Sequence, residues 1–361
     1  MNEDCLKLTA YYGERHRVAG RFVADALLDV CERHALQGSV LLRGAEGFGL
    51  KHHLRTDRQL TLSEDLPLVT TAIDARDRIE GALPEIRALM THGLLTLERA
   101  RMLTGEIRTA ALPVALGEEV KLTLVVGRQE RRDGRPAYLA AVDVLHRHGL
   151  AGAIVLLGVD GTAHGVRRRA RFFGANADVP MLVIGVGDAA SIAAALPQLG
   201  AIPARPLVTL ERVRVLKRDG RRLAQPRELP DGDGSGLALW QKLMVYAGEQ
   251  SRAPGGHPLH ATLVRRLRQS GARGATTLRG IWGYHGDHPP HGDRLLALRR
   301  HVPMVTVIVD APERIRASLQ IVDELTADTG LVTSEIVPAL HSAASGASYG
   351  GLRLGDLGGT G

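Results

Sequence analysis

Apolar and polar residues alternate along the first strand-like stretch, with Leu6, Leu8, Ala10 and Tyr12 on one side and Lys7, Thr9, Tyr11 and Gly13 on the other. A period of two predicts a strand. After a polar loop to Gly20 the period changes, and Phe22, Ala26, Leu27, Val30 and Cys31 recur at three and four. That spacing predicts an amphipathic helix, stopped at Gly38. Two apolar runs, Ser39–Leu42 and Pro67–Ile73, predict further strands. Asp74 is placed to cap a second helix carrying Ile79, Leu83, Ile86 and Leu89, and Leu94–Leu103 predicts a last strand after a turn at Gly93. The predicted order is strand, helix, strand, strand, helix, strand.

The same punctuation returns twice. Lys7, Lys121 and Lys242 open strands that end at Gly13, Gly127 and Gly248; Gly38, Gly152 and Gly274 precede the second apolar run; Pro67, Pro180 and Pro303 open the third. Asp74, Asp188 and Asp310 follow, then Thr96-Leu97-Glu98, Thr209-Leu210-Glu211 and Thr333-Ser334-Glu335. The interval is far above the roughly 50 residues of the longest solenoid repeats, so each copy is expected to be a domain with its own core. The expected division is repeat 1 over 5–104, a linker over 105–118, repeat 2 over 119–216, a linker over 217–239, repeat 3 over 240–340, and a disordered tail over 341–361.

Each copy is expected to be α+β, a four-stranded antiparallel sheet with both helices on one face, which is the ferredoxin-like βαββαβ unit. Such a sheet leaves its other face bare. In the middle copy Val120–Val126, Ile154–Leu157 and Met181–Val186 run almost without alternation, as strands buried on both sides do, so the copies are expected to cover one another.

Composition narrows the functional classes. The 361 residues are 44% hydrophobic but only 3% aromatic, so aliphatic side chains must fill the cores. No apolar run reaches 18 residues and the start is acidic, without an apolar leader segment, which points to a cytoplasmic protein. The net charge of +7 favours anionic partners, yet much of the excess lies in Arg205–Arg227 without interleaved aromatics, which argues against nucleic acid. With only two cysteines, Cys5 and Cys31, neither a structural disulfide nor thiol chemistry is expected, and Cys31 reads as a small buried hydrophobe. No Ser-His-Asp, Cys-His or paired-carboxylate set recurs at a shared position, so no catalytic residues and no enzyme are expected.

The first-copy segments LKLTAYYGE, VLLRGAEGFG, LSEDLPLV and GLLTLE resemble the PII-like superfamily, specifically its bacterial family of unknown function. Proteins of that superfamily are homotrimers of ferredoxin-like subunits that often hold adenine nucleotides or other small anions in the clefts between subunits. With three copies in one chain, the resemblance implies an intramolecular pseudo-trimer, monomeric in solution, that acts on a partner such as a membrane transporter or channel. Its signalling loops would be Ala45–Glu64 and Ile281–His301. The cleft residues it implies are Arg43, Gly44, Gly47, Gly49, His92 and Gly93 in the first copy and Arg279, Gly280, Gly283 and Gly330 in the third. Glycines let backbone N–H groups approach an anion and an arginine fork grips phosphate, although the same glycines also suit a tight strand exit. The middle copy has Leu157 in place of the arginine, adds Asp160, and brackets its turn with Pro203 and Pro206, so its cleft is expected to be degenerate.

Two rival readings stand beside a nucleotide-binding regulator. One is a metal-binding protein using His285, His288 and His291, imidazoles at short spacing with Asp287 and Asp293 beside them. The other is a ligand-free interaction scaffold in which the glycine loops are only turns. Lys7, Lys121 and Lys242 with Glu98, Glu211 and Glu335 are expected to form structural charge pairs or to line a common axis.

Overall fold

The structure, a computed structural model, describes residues 2–50, 53–56, 65–105, 107, 112, 116–168, 179–230, 232–286, 288–292, 302–344 and 347–355. The first copy comprises β1 (Asn2–Gly13), α1 (Val23–Arg33), β2 (Gly38–Phe48), β3 (Pro67–Ala75), α2 (Arg76–Leu89) and β4 (Gly93–Thr104). The second comprises β5 (Glu119–Gly127), α3 (Ala137–Arg147), β6 (Gly152–Leu156), β7 (Gly158–Ala163), β8 (Pro180–Asp188), α4 (Ala189–Gly200), β9 (Leu207–Arg212) and β10 (Arg214–Arg218). The third comprises β11 (Trp240–Gly248), α5 (Leu259–Gln269), β12 (Ala275–His285), β13 (Pro303–Asp310), α6 (Pro312–Leu325), β14 (Leu331–Val337), and a terminal hairpin of β15 (Ala339–Ala344) and β16 (Ala347–Gly351). Strands of two residues are left unlabelled.

The expectation of three ferredoxin-like βαββαβ domains forming a pseudo-trimer is overturned by how the strands join. All the labelled strands belong to one 20-stranded antiparallel sheet, and nine of them close on themselves in the circuit β2-β3-β1-β4-β9-β5-β8-β6-β12 and back to β2. The molecule is a closed β-barrel extended by the remaining strands of the third copy, with six helices among the described residues. The physical cause is strand length. The second strand was expected to stop at Leu42 but runs on to Phe48, and its extension pairs with the start of β12, Ala275 opposite Phe48. β12 in turn overruns to pair with β6, and β7 pairs back onto β2. At the other sheet edges β4 reaches β9, β10 reaches β14, and β15 reaches β4. Edges that would stand open in separate domains satisfy their backbone groups in a neighbour instead.

The helices cover the outside. Leu6, Leu8, Leu27, Ile79 and Leu97 form one helix-backed core, with corresponding clusters in the second and third copies. The inner faces meet in a fourth cluster that gathers Val40 and Val69 from the first copy, Ile154 and Leu182 from the second, and Met244, Val305 and Val307 from the third. The barrel strands are therefore buried on both faces over most of their length, which explains the missing alternation in the sequence.

Smaller expectations also change. Asp188 caps α4 by accepting from Ser191 N at 2.8 Å, whereas Asp74 and Asp310 do not cap their helices. They accept instead from Gln37 N at 2.9 Å and Arg273 N at 3.1 Å, pinning the entry to the second strand. The tail expected to be disordered from His341 includes the β15–β16 hairpin, whose small residues lie against the edge of β4. Cys5 and Cys31 are free and buried, and burial pushes both thiols up to about 12. Among the described residues no helix is long and apolar enough to cross a membrane.

Candidate functional site

The first strands carry the three recurring lysines and the last strands the three recurring glutamates, directly opposite one another at Lys7–Glu98, Lys121–Glu211 and Lys242–Glu335. Where the sheets meet, each lysine also reaches the next copy's glutamate. Lys7 lies 3.2 Å from Glu98 and also touches Glu211; Lys121 lies 3.0 Å from Glu211 and touches Glu335; Lys242 lies 2.9 Å from Glu335 and touches Glu98. The six side chains form a closed ring of alternating charge, all buried. Burial would raise the Glu98 carboxyl, but Lys242 and Lys7 outweigh it and hold it well below the usual carboxylate range. Glu335 is likewise held down against burial by Lys121 and Lys242. The three glutamates lie close enough together to share an ion, but each is already paired with two lysine ammonium groups.

The glycines expected to cradle an anion have another duty. Gly44 and Gly47 lie inside β2, and Gly280 and Gly283 inside β12, at the points where neighbouring copies cross. A Cβ on Gly47 would stand 2.6 Å from the Ala275 carbonyl oxygen, and one on Gly280 would stand 2.7 Å from Ile154 Cγ1. Gly158 and Gly161 of the middle copy are equally crowded, by the Pro180 and Ser39 carbonyls. The shared G-x-x-G, present even in the copy without arginine, was the legible sign that the spacing answers to strand packing. Arg43 and Arg279 are exposed and bonded to Glu14 at 3.0 Å and Glu249 at 2.9 Å. The middle copy loses this pair as a unit, with Leu157 and Arg128 in the two places.

A cleft of about 310 Å³ that combines charged and aromatic side chains lies between the first and third copies. Of the residues expected at the site, Gly49, His92 and Gly93 line it; Arg43, Gly44, Gly47, Arg279, Gly280, Gly283 and Gly330 do not. The sequence reading missed Arg15, Arg55 and Arg273, and the aromatic walls Tyr11, Tyr12, Phe48 and Tyr349. Three arginines face a single lining carboxylate, Asp65, which accepts from Arg55 Nε at 2.8 Å and from Arg15 N at 2.8 Å. The Arg273 guanidinium lies 4.5 Å over the Tyr349 ring. His16 and His92 meet edge to face at 5.4 Å. Burial first, then His92, lowers the His16 pKa, and His16 Nδ1 is buried with no hydrogen-bond partner among the described residues. The pocket exists because the terminal hairpin brings Ser342, Ala343 and Tyr349 across its mouth, a long-range placement that no local pattern announces.

The corresponding junctions of the other copies differ. Near Gly200 and Pro203–Pro206 a recess of about 480 Å³ carries Arg205 and His164 but no tyrosine, tryptophan or phenylalanine. At Gly330 the turn after β10 fills the junction, with Asp219 N donating to the Gly330 carbonyl at 2.8 Å. Of the expected metal ligands, His285 and His288 lie together, their rings 5.2 Å apart, and His291 Nδ1 lies 3.0 Å from the Pro289 carbonyl oxygen. Asp287 and Asp293 lie outside the described residues, as does much of both expected signalling loops; Ala45–Phe48 and Ile281–His285 are strand.

A family profile described as "DUF190: Uncharacterized ACR" matches residues 5–102, 119–215 and 240–339. A UPF0166 protein of Aquifex aeolicus is 29% identical over 101 residues, which are 28% of this chain and 94% of that protein, so that relative has the length of one copy. A solved structure from Fusobacterium nucleatum, named as a candidate monooxygenase, is 9% identical with a TM-score of 0.19, covering 58% of this chain and 92% of that one. A likeness that low carries no argument about fold or activity.

Proposed function

The chain belongs to the DUF190 family in three successive copies, and from that premise we propose that it is a non-enzymatic regulatory protein that binds a small anion bearing an aromatic group in the cleft between its first and third copies. An adenine nucleotide is the ligand class that fits. The observation that carries the reading is the pairing, in one cavity, of three arginines with four aromatic walls. Guanidinium groups hold phosphate through two donors, and tyrosine or phenylalanine faces take a flat heterocycle. A volume of about 310 Å³ is at the lower end of ligand pockets, which suits one nucleotide rather than an extended chain. In this reading Arg15, Arg55 and Arg273 take the anion-holding role first assigned to Arg43 and Arg279. His92, Gly93 and Gly49 keep a place at the wall. The resemblance to PII-like proteins supports a loaded cleft that signals to a partner protein, a membrane transporter being the class it implies.

Calorimetry against ATP, ADP, AMP and cyclic nucleotides tests the proposal. Binding at one site per chain is expected, weakened at least tenfold by Arg273→Ala, since a hydrogen bond to a charged group contributes about 1.5–3 kcal/mol. Absence of binding by every nucleotide overturns it in favour of a scaffold without a ligand, and an affinity unchanged in Arg273→Ala and Arg15→Ala overturns the assignment to this cleft.

A further inference from the structure

The junction between the second and third copies presents Asp219, His285 and His288 with one donor atom each, all within 4.8 Å of one another. We propose that these three side chains form a binding site for a divalent transition metal of the zinc class, independent of the nucleotide cleft and joining the exit of the second copy to the third. Two imidazole nitrogens and a carboxylate oxygen are a donor set that zinc accepts, with water completing four-coordination on the exposed side.

Two observations point to a ligand rather than to an ordinary polar surface. His285 is only 5% exposed, yet its Nδ1 has no hydrogen-bond partner among the described residues. Asp219 Oδ1 faces it at 3.6 Å, too long for a hydrogen bond. Two donors each about 2.0–2.1 Å from a tetrahedral zinc would themselves be about 3.3 Å apart, so the gap is nearly that of a shared ion.

The surroundings hold these donors in place before any ion arrives. Asp219 is fixed by its backbone bond to Gly330, and Gly286 N donates to the Ala151 carbonyl at 2.8 Å just after His285. Gly286 has a φ of 61° and lies directly under the Asp219 carboxylate, where any Cβ would overlap it. Asp219 itself has a φ of 46°, in the left-handed region that tolerates aspartate at a turn. None of this is local in sequence: Asp219 reaches the histidines through the pairing of β10 with β14.

The test uses the full chain without a polyhistidine tag, stripped with chelator, then titrated with zinc against a chromophoric competitor and with cobalt followed by its visible absorption. One equivalent of zinc at micromolar affinity or tighter is expected. Asp219→Asn and His288→Ala, both at exposed positions and expected to fold, should each weaken zinc at least tenfold and remove the cobalt band. Zinc affinity equal in wild type and both variants, or no zinc retained by the wild type, overturns the site. Folding of each variant is checked by circular dichroism, and a folded variant with wild-type zinc affinity counts against the proposal.

Discussion

Opening the buried charge ring should show whether its members act as one unit. Lys121 is 2% exposed and its ammonium joins Glu211 at 3.0 Å to Glu335. Lys121→Met keeps the length and most of the volume of the side chain but leaves three carboxylates facing two ammonium groups. At 3.0 Å and an effective dielectric near 20, one such pair is attractive by about 5 kcal/mol before desolvation is counted. Removing one partner of a buried pair typically costs about 3–5 kcal/mol, because a charge is stranded. Glu211→Met strands an ammonium and should cost about the same. The double variant restores two charges of each sign and leaves Lys7–Glu98 and Lys242–Glu335 intact, so its loss should fall below that of either single change. Urea unfolding followed by circular dichroism gives the three differences. A double variant that loses the sum of the singles to within about 0.5 kcal/mol would refute the ring as a coupled device.

Acid should unfold the protein through the same groups. The folded-state pKa values of Glu98 and Glu335 are held below their unfolded values, so their contribution is present above the ordinary carboxylate pKa of about 4.3 and lost as pH falls through the folded values. Urea midpoints should decline gently below about pH 6.5, where histidines such as His16 with a lowered folded pKa lose stability, and fall steeply below about pH 4; a midpoint that rises as pH falls below about 4 would contradict the assignment. Gly161→Ala should destabilise by about 2 kcal/mol or more, since its Cβ would overlap the Ser39 carbonyl oxygen and stand 2.6 Å from Pro180 Cγ. Gly81→Ala, in the open flank of α2 with nothing within 4 Å, should stabilise by about 0.5–1 kcal/mol; thermal melts of the pair distinguish crowded glycines from merely flexible ones. Arg273→Ala should lower nucleotide affinity without moving the apo melting temperature by more than a few degrees, because the buried Asp310 carboxylate, 3.6 Å from the lost guanidinium, keeps its backbone bonds from Arg273 N and Ala311 N.

Much of the secondary structure was legible because it is driven by local patterns. The period of two in Leu6–Gly13 is β1, and the helical spacing of Ala26, Leu27, Val30 and Cys31 is α1, since each pattern puts apolar side chains on the face that can be buried. The recurrence of Lys and Glu was equally visible, and the electrostatics of burial leave opposed charges little choice but to pair. The candidate cleft was only partly legible. His92 and Gly93 could be placed from the turn before the fourth strand, but Arg273 and Tyr349 come from a different copy and from a tail whose small residues carry no strand pattern.

Taken alone, the sequence determined that one unit is written three times, what elements each unit forms, and which charged residues meet. Only the tertiary structure decided that the units share a single closed sheet. Periodicity reports which face of a strand is buried, not which neighbour its edge will bond. Gly44, Gly47, Gly280 and Gly283 therefore looked like a ligand's loop until the crossing strands showed what lies where their side chains would be. Edge pairing, and with it the cleft at Arg273 and the Asp219–His285 junction, depends on how far each strand overruns into the next copy. That distance is set by packing among residues more than a hundred positions apart.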